Sequence, residues 1–202
     1  MARSRMTTDT FDLPVLPRGQ VDLLLDGAHQ QQVIQQGLMR AKVSLDIATA
    51  DFKAMIVPAA ASLPGRRRGR DQGQSIVLHL AKLAERGVEV RLLHSGVPSS
   101  AALSELKKGL PAGLTIRRCP RLHAKIVIID SSSMYLGSAN LTGAGLGAKS
   151  ERKRNFEAGI WTQDAPLIDA MQDYFNTLWE GRHCDTCLRR DVCPVPLEEP
   201  KL

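Results

Sequence analysis

LHAKIVIIDSSSMYLGSAN, residues 122–140, decides how this chain is read. It holds His123, Lys125 and Asp130, then Gly137, Ser138 and Asn140, around the apolar run Ile126 to Ile129, which has the length and β-branching of a buried strand. Residues two apart on a strand share a face, so His123 and Lys125 are expected to project together, and Ser138 with Asn140 on the next segment. An imidazole, a cation and two hydrogen-bond donors would then converge on one region. That is what is needed to hold a tetrahedral phosphate and attack it.

A lone histidine beside a strand is most often an ordinary surface or core residue. Six defined positions in one short stretch are more specific, because each constrains the next. The pattern His-x-Lys-x4-Asp-x6-Gly-Ser-x-Asn resembles the HKD signature of the phospholipase D superfamily and matches it without a gap. As an order of elements, the resemblance runs from about Val21 to about Trp179. Asn155-Phe156-Glu157 is similar to the Asn-x-Glu that follows the motif in many members, here after a longer intervening loop, Leu141 to Arg154.

The resemblance implies roles for these residues. His123 is expected to be the nucleophile that forms a phosphohistidine. Lys125, Ser138 and Asn140 are expected to bind phosphate oxygens, and Glu157 to accept the other imidazole N–H. Asp130 and Gly137 are expected to be structural, Asp130 by organising the turn before Ser131. In the family a second motif supplies a histidine that protonates the leaving group. None of His29, His79, His94 or His183 is followed by lysine two places on. The second histidine must therefore come from another copy, and a homodimer is expected. No metal is required for this reaction, and no carboxylates cluster in sequence near His123 as two-metal nucleases require.

The chain of 202 residues suffices for one domain with a full core. The expected divisions are an N-terminal tail, 1–19, a phospholipase D-like catalytic domain, 20–181, and a cysteine-containing tail, 182–202. Alternating strands and helices point to an α/β sandwich around a central mixed sheet, one copy per chain, and the family resemblance implies the same fold. The helices are expected at His29 to Lys42, from Ile76, after Ser99 or Ser100, and after Asp164. The last strand is expected over Phe156 to Trp161, and Asp51-Phe52-Lys53 at the ligand-binding end of a strand.

The formal charge of +6, from 27 Lys and Arg against 21 Asp and Glu, favours a polyanionic partner, nucleic acid or an anionic lipid surface. Aromatic residues make up only 4%, which argues against an extended base-stacking platform. Arg66, Arg67, Arg68 and Arg70, set among glycines, are candidate phosphate contacts; the bland alternative is a solvated loop. Neither a signal sequence nor an apolar run of membrane-spanning length is present, so a cytoplasmic location is expected.

Three of the four cysteines stand as Cys184-x2-Cys187-x5-Cys193, a spacing that suits metal ligation. Cys119 or His183 is the candidate fourth ligand. With Cys119, the spacing resembles the [4Fe–4S] staple of RecB-like nucleases, a similarity confined to the cysteines; zinc suits either set. Free thiols are the remaining reading.

The sequence thus favours a metal-independent nuclease acting as a homodimer. A phospholipase or other lipid phosphodiesterase is one alternative, and a nucleic-acid-binding component of a defence or repair assembly is another.

Overall fold

The computed structural model describes residues 20–57, 73–146 and 148–198. The arginines Arg66, Arg67, Arg68 and Arg70 lie outside the described residues, as does the 1–19 tail. The strands are β1 (Val21–Leu25), β2 (Ser44–Thr49), β3 (Ile56–Val57), β4 (Gln74–Ser75), β5 (Glu89–His94), β6 (Leu114–Arg118), β7 (Ile126–Ile129), β8 (Ser133–Gly137) and β9 (Ala158–Thr162). The α-helices are α1 (Ile76–Glu85), α2 (Ser100–Leu106) and α3 (Ala165–Trp179).

Seven strands form one sheet in the order β1-β9-β8-β7-β2-β5-β6. β2, β5 and β6 are parallel, whereas β7, β8, β9 and β1 join antiparallel. The mixed sheet expected from the alternating pattern is what the chain builds. β3 and β4 form a separate two-stranded ribbon.

Helices pack on both faces of the sheet, over only part of the second. Ile34 and Leu38 bury one face together with Ile76, Leu80 and Leu83 of α1 and Leu106 of α2. On the other face, Ile168, Phe175 and Trp179 of α3 cover Ala48, Leu93, Ile126, Ile128 and Met134. Fully burying each such side chain is worth about 1.5 to 3 kcal/mol.

Helix starts follow local chemistry. The side chains of Ser75, Ser99 and Asp164 accept the N–H of Val77, Ala102 and Leu167, satisfying donors that a first turn leaves free. The helix expected over His29 to Lys42 differs in geometry: Gln30–Gly37 is π-helical, and one 3₁₀ turn, Leu38–Arg40, closes it.

α3 is clamped to the sheet by charge. Arg91 of β5 donates to both oxygens of buried Asp46 at 2.6 and 2.7 Å, and its guanidinium lies over the rings of Phe175 and Trp179. Removing one partner of such a buried pair costs about 3 to 5 kcal/mol. Arg117 of β6 stacks on Trp179 and donates to its carbonyl at 2.6 Å, fixing where the chain leaves α3.

β7 spans Ile126–Ile129 as the sequence reading expects, whereas the start of β9 differs from it. β7 begins at Ile126, so His123 and Lys125 stand in the extended segment just before it. The ladder stops there because β2 pairs no further than Ala48 opposite Ile126, leaving one bond from Gly137 N–H to the Lys125 carbonyl at 3.2 Å. β9 begins at Ala158 rather than Phe156. Glu157 N–H goes to the Asp26 carboxylate at 3.0 Å and Ala158 N–H to the Ser138 hydroxyl at 3.1 Å, so side chains replace a neighbouring strand.

Candidate active site

His123, Lys125, Gly137, Ser138, Asn140 and Glu157 gather where β7 starts, β8 and β2 end and β9 starts. His123 is exposed, whereas Lys125 is buried. The Lys125 ammonium donates to the His123 carbonyl at 2.7 Å and lies 3.2 Å from both ring nitrogens. Burial pulls the Lys125 pKa below its ordinary value, and the Glu157 carboxylate opposes that shift. A cation is thus held beside an accessible imidazole, where an attacked phosphate would develop negative charge.

Glu157 is buried and bridges two residues. Its Oε2 accepts the Ser138 hydroxyl, and its Oε1 accepts Asn155 Nδ2 at 3.0 Å. Among the described residues it makes no hydrogen bond to the His123 ring, contrary to the expected role. The Lys125 ammonium, 3.2 Å from both ring nitrogens, occupies the space beside the imidazole, while the carboxylate is turned to Ser138 and Asn155. Within this chain Glu157 orients Ser138 and supplies the charge that Lys125 senses.

Asn140 is fixed from the β2 side. Its Oδ1 accepts Asp51 N–H at 3.0 Å and lies 3.3 Å from Thr49 Oγ1. A backbone N–H requires an acceptor, so the amide oxygen is the tied atom and its NH2 faces away as a donor. Thr49 Oγ1 also accepts Leu141 N–H at 2.9 Å, locking the segment after the motif to the end of β2.

Asp130 has φ 52°, and its carboxylate accepts the N–H groups of Lys42, Val43 and Ser44 at 2.8 to 3.1 Å. It therefore ties the β7–β8 turn to the entry of β2, at the opposite end of β7 from His123. Gly137 has a steric reason to lack a side chain. A Cβ there would collide with Tyr135 Oη and come within 2.7 Å of the Ala158 carbonyl.

Tyr135 is a site-shaping residue that sequence reasoning passed over. It is fully buried, its ring crosses Gly137 and Gly159, and its hydroxyl accepts Ala139 N–H at 3.0 Å, between Ser138 and Asn140. Burial, with a smaller contribution from Glu157, pushes its pKa up to about 12 although the Ala139 bond opposes this. Its position two residues before Gly137 was the available signal. Thr49 and His29 were missed as well. His29 packs edge-on to Tyr135 with ring centroids 5.3 Å apart, and its Nδ1 meets the Asp26 carbonyl at 2.9 Å.

A basic loop flanks the site. Asn155 N–H bonds the Ala144 carbonyl at 2.9 Å, and between these two residues Lys149, Arg152 and Lys153 are exposed.

The four cysteines come together. Cys119 follows β6 with its N–H on the His94 carbonyl at 2.8 Å. Beyond α3, Gly181 adopts φ 72° and returns the chain toward Cys119. Cys119, Cys184, Cys187 and Cys193 line a single cavity of about 240 Å³ that also reaches His123 and His183. Burial, and then the neighbouring thiols, push the Cys184 pKa up. The backbone at Arg189, followed by the Arg121 guanidinium, pulls that of Cys187 down. Among the described residues no three His, Cys, Asp or Glu side chains already stand in ligating reach of one ion. Nor is any described helix long and apolar enough to cross a membrane.

Comparison with known proteins agrees with this geometry. No curated protein matches the chain. Among solved structures, NucT from Helicobacter pylori is similar with TM-score 0.57 and 18% identity, over 80% of this chain and 96% of that one. Nuc from Salmonella typhimurium, described as a phospholipase D family member, gives 0.53 and 17% over 80% and 95%. Phosphatidylserine synthase from Haemophilus influenzae Rd KW20 gives 0.53 and 15% over 79% and 36%. These likenesses show a shared fold. The family model described as cardiolipin synthase, PLD-like domain, matches residues 33–179, most of the described sheet and the whole motif. The chain therefore belongs to the phospholipase D-like family.

Proposed function

We propose that the chain is a metal-independent phosphodiesterase acting on nucleic acid as a homodimer. The observation that carries this reading is the accessible His123 imidazole held against the buried Lys125 ammonium. In the first step a nitrogen of His123 bonds to phosphorus and the bond to the leaving oxygen breaks. The partner's His123 gives that oxygen its proton. Water then attacks phosphorus, the P–N bond breaks, and the proton from water returns to the partner's His123. Lys125 and the Asn140 amide bind the nonbridging oxygens throughout, and Ser138 joins them by turning its one hydroxyl proton from Glu157 to the phosphate.

Dimerisation is supported by an uncovered apolar surface. α3 shields only part of its sheet face, and toward the β1 edge Val21, Leu23 and Leu25 stand exposed beside Ala158 and Ile160. At the site end of that stripe Phe156 is 96% exposed, one residue from Glu157. A second copy on this stripe would shield these side chains and place a second imidazole near the first.

The net charge and the basic loop carrying Lys149, Arg152 and Lys153 suit a polyanion, and a sequence without an amphipathic membrane-binding stretch favours nucleic acid over lipid as that polyanion. The lipid reading draws on the description of the matching family model as a cardiolipin synthase domain and on the fold shared with a phosphatidylserine synthase. Incubating the purified protein with labelled single-stranded DNA, duplex DNA, RNA and phosphatidyl reporters in EDTA, beside His123→Ala, tests the proposal. Nucleic-acid cleavage that survives EDTA and disappears in the variant is expected. Lipid turnover alone would replace this reading with a lipid phosphodiesterase, and binding without turnover on any substrate would favour a binding component.

A further inference from the structure

The segment following α3 has almost no core of its own. Leu188, Val192 and Val195 are exposed, and Leu197 is its apolar side chain packed on the α3 cluster. Turns account for its backbone, and few hydrogen bonds tie it to the domain. Something other than apolar burial must hold it in place.

Three of its residues are cysteines, and all three border the cavity that Cys119 borders from the sheet side. Cys119 belongs to the domain, at the end of β6, and is separated from the others by the whole motif and α3. A chance cluster of tail cysteines has no reason to face that one residue. Four thiolates around a zinc ion, or around a [4Fe–4S] cluster, make a net dianion that needs cationic neighbours. Arg121 and Arg190 line the same cavity, and Arg190 donates to the Cys184 carbonyl at 3.0 Å.

We infer that Cys119, Cys184, Cys187 and Cys193 are the four ligands of a structural metal centre that fastens the C-terminal segment beside the His123 segment. No three of these thiols stand in reach of one ion as the side chains are now turned. Occupancy therefore requires the sulfurs to rotate inward around an ion, or a cluster to span them. In either case the bound centre fixes Cys119 four residues before His123 and holds Arg189 and Arg190 at the rim of the substrate approach. The inference does not depend on which phosphodiester is cleaved.

The test is to purify the full chain anaerobically without chelator and to measure zinc, iron and acid-labile sulfide per chain. Cys119→Ser, Cys187→Ser and His183→Ala are measured in parallel, with circular dichroism to establish that each folds. The expected result is about one zinc ion, or iron and sulfide in the ratio of one cluster, per chain, lost in both cysteine variants and kept in His183→Ala. Zinc without sulfide identifies the ion, and equal iron and sulfide the cluster. Stripping metal from the wild-type protein should speed tryptic cleavage at Arg189 and Arg190 while leaving the domain intact, a readout that needs no variant to fold. Absence of metal after anaerobic reconstitution with zinc, or with iron and sulfide, would overturn the assignment. So would full metal content in Cys119→Ser, or tryptic cleavage unaffected by stripping.

Discussion

The hydroxyl of Tyr135 accepts the backbone N–H of Ala139 at 3.0 Å, and the ring that carries it lies across Gly137. One buried side chain thus explains why the motif needs glycine and how Ser138 and Asn140 are presented on either side of a fixed peptide. Tyr135→Phe leaves the Ala139 N–H buried without its acceptor, at a cost of about 1 to 3 kcal/mol. Denaturant unfolding should show that loss, with turnover falling more than substrate affinity. Gly137→Ala should be worse, because its methyl group has no rotamer that avoids the ring or the Ala158 carbonyl.

Asp130 allows a sharper comparison. Asp130→Ala strands three N–H groups at the entry of β2 and places a Cβ residue without local hydrogen bonding at φ 52°. Lys42 and Val43 can turn to water while Ser44 is part-buried, so a loss of about 1 to 3 kcal/mol is expected. Asp130→Asn keeps one acceptor oxygen and tolerates the left-handed backbone, so it should retain more of the stability. Equal unfolding midpoints for the two variants would contradict this account.

The alkaline limb of activity should report Lys125. Burial lowers its pKa and the Glu157 carboxylate raises it. Glu157→Gln removes the raising charge, along with one of the two acceptors used by Ser138 and Asn155, so Lys125 should lose its proton at lower pH and the alkaline limb should move to lower pH. A pH–rate profile of the variant checks the sign.

Stability should fall on mild acidification because of His94. Its Nδ1 meets the Gly96 carbonyl at 2.8 Å, while Nε2 is buried without a partner, so protonation would bury an unpaired N–H. Burial lowers its pKa; the Gly96 bond opposes this and Arg118 adds to it. The unfolded chain takes up this proton near pH 6.5, before the folded one does. The contribution is therefore complete above about pH 6.5 and is lost as pH falls toward the folded value. His79, lowered by burial and then by Lys82 and Arg86, acts in the same direction. His94→Asn should flatten the pH dependence of unfolding between neutral pH and pH 5.

Phe156→Asp places a charge in the proposed dimer contact while leaving the motif intact. Sedimentation should show monomers, and turnover should fall by about 10² to 10⁴, the usual contribution of a positioned acid. A monomeric variant with full activity would refute the shared site.

Much of this molecule was readable before folding. The spacing of His123, Lys125, Asp130, Gly137, Ser138 and Asn140 carried the family, and alternating apolar periods carried the mixed sheet with its flanking helices. The reading failed where a side chain takes over a backbone's task. Asp26 and Ser138 satisfy the N–H groups of Glu157 and Ala158, so β9 starts later than its apolar pattern suggests. Glu157 turns to Ser138 and Asn155, partners that sequence spacing does not encode. Tyr135 hid in an apolar run because a buried aromatic there reads as core.

The pairing of β1 with β9 has a consequence for synthesis. Residues 21–25 lie against 158–162, so the edge of the sheet closes only after the intervening chain has been made. At about 5 to 20 residues per second, β1 waits roughly 7 to 28 seconds for its partner. The His123 segment emerges before Glu157 and before β9, and Ser138 has no carboxylate to orient it until they arrive. An unfinished copy on the ribosome therefore carries His123 and Lys125 without Glu157 and the strand that follows it, so the setting of the site is completed only once β9 has been made.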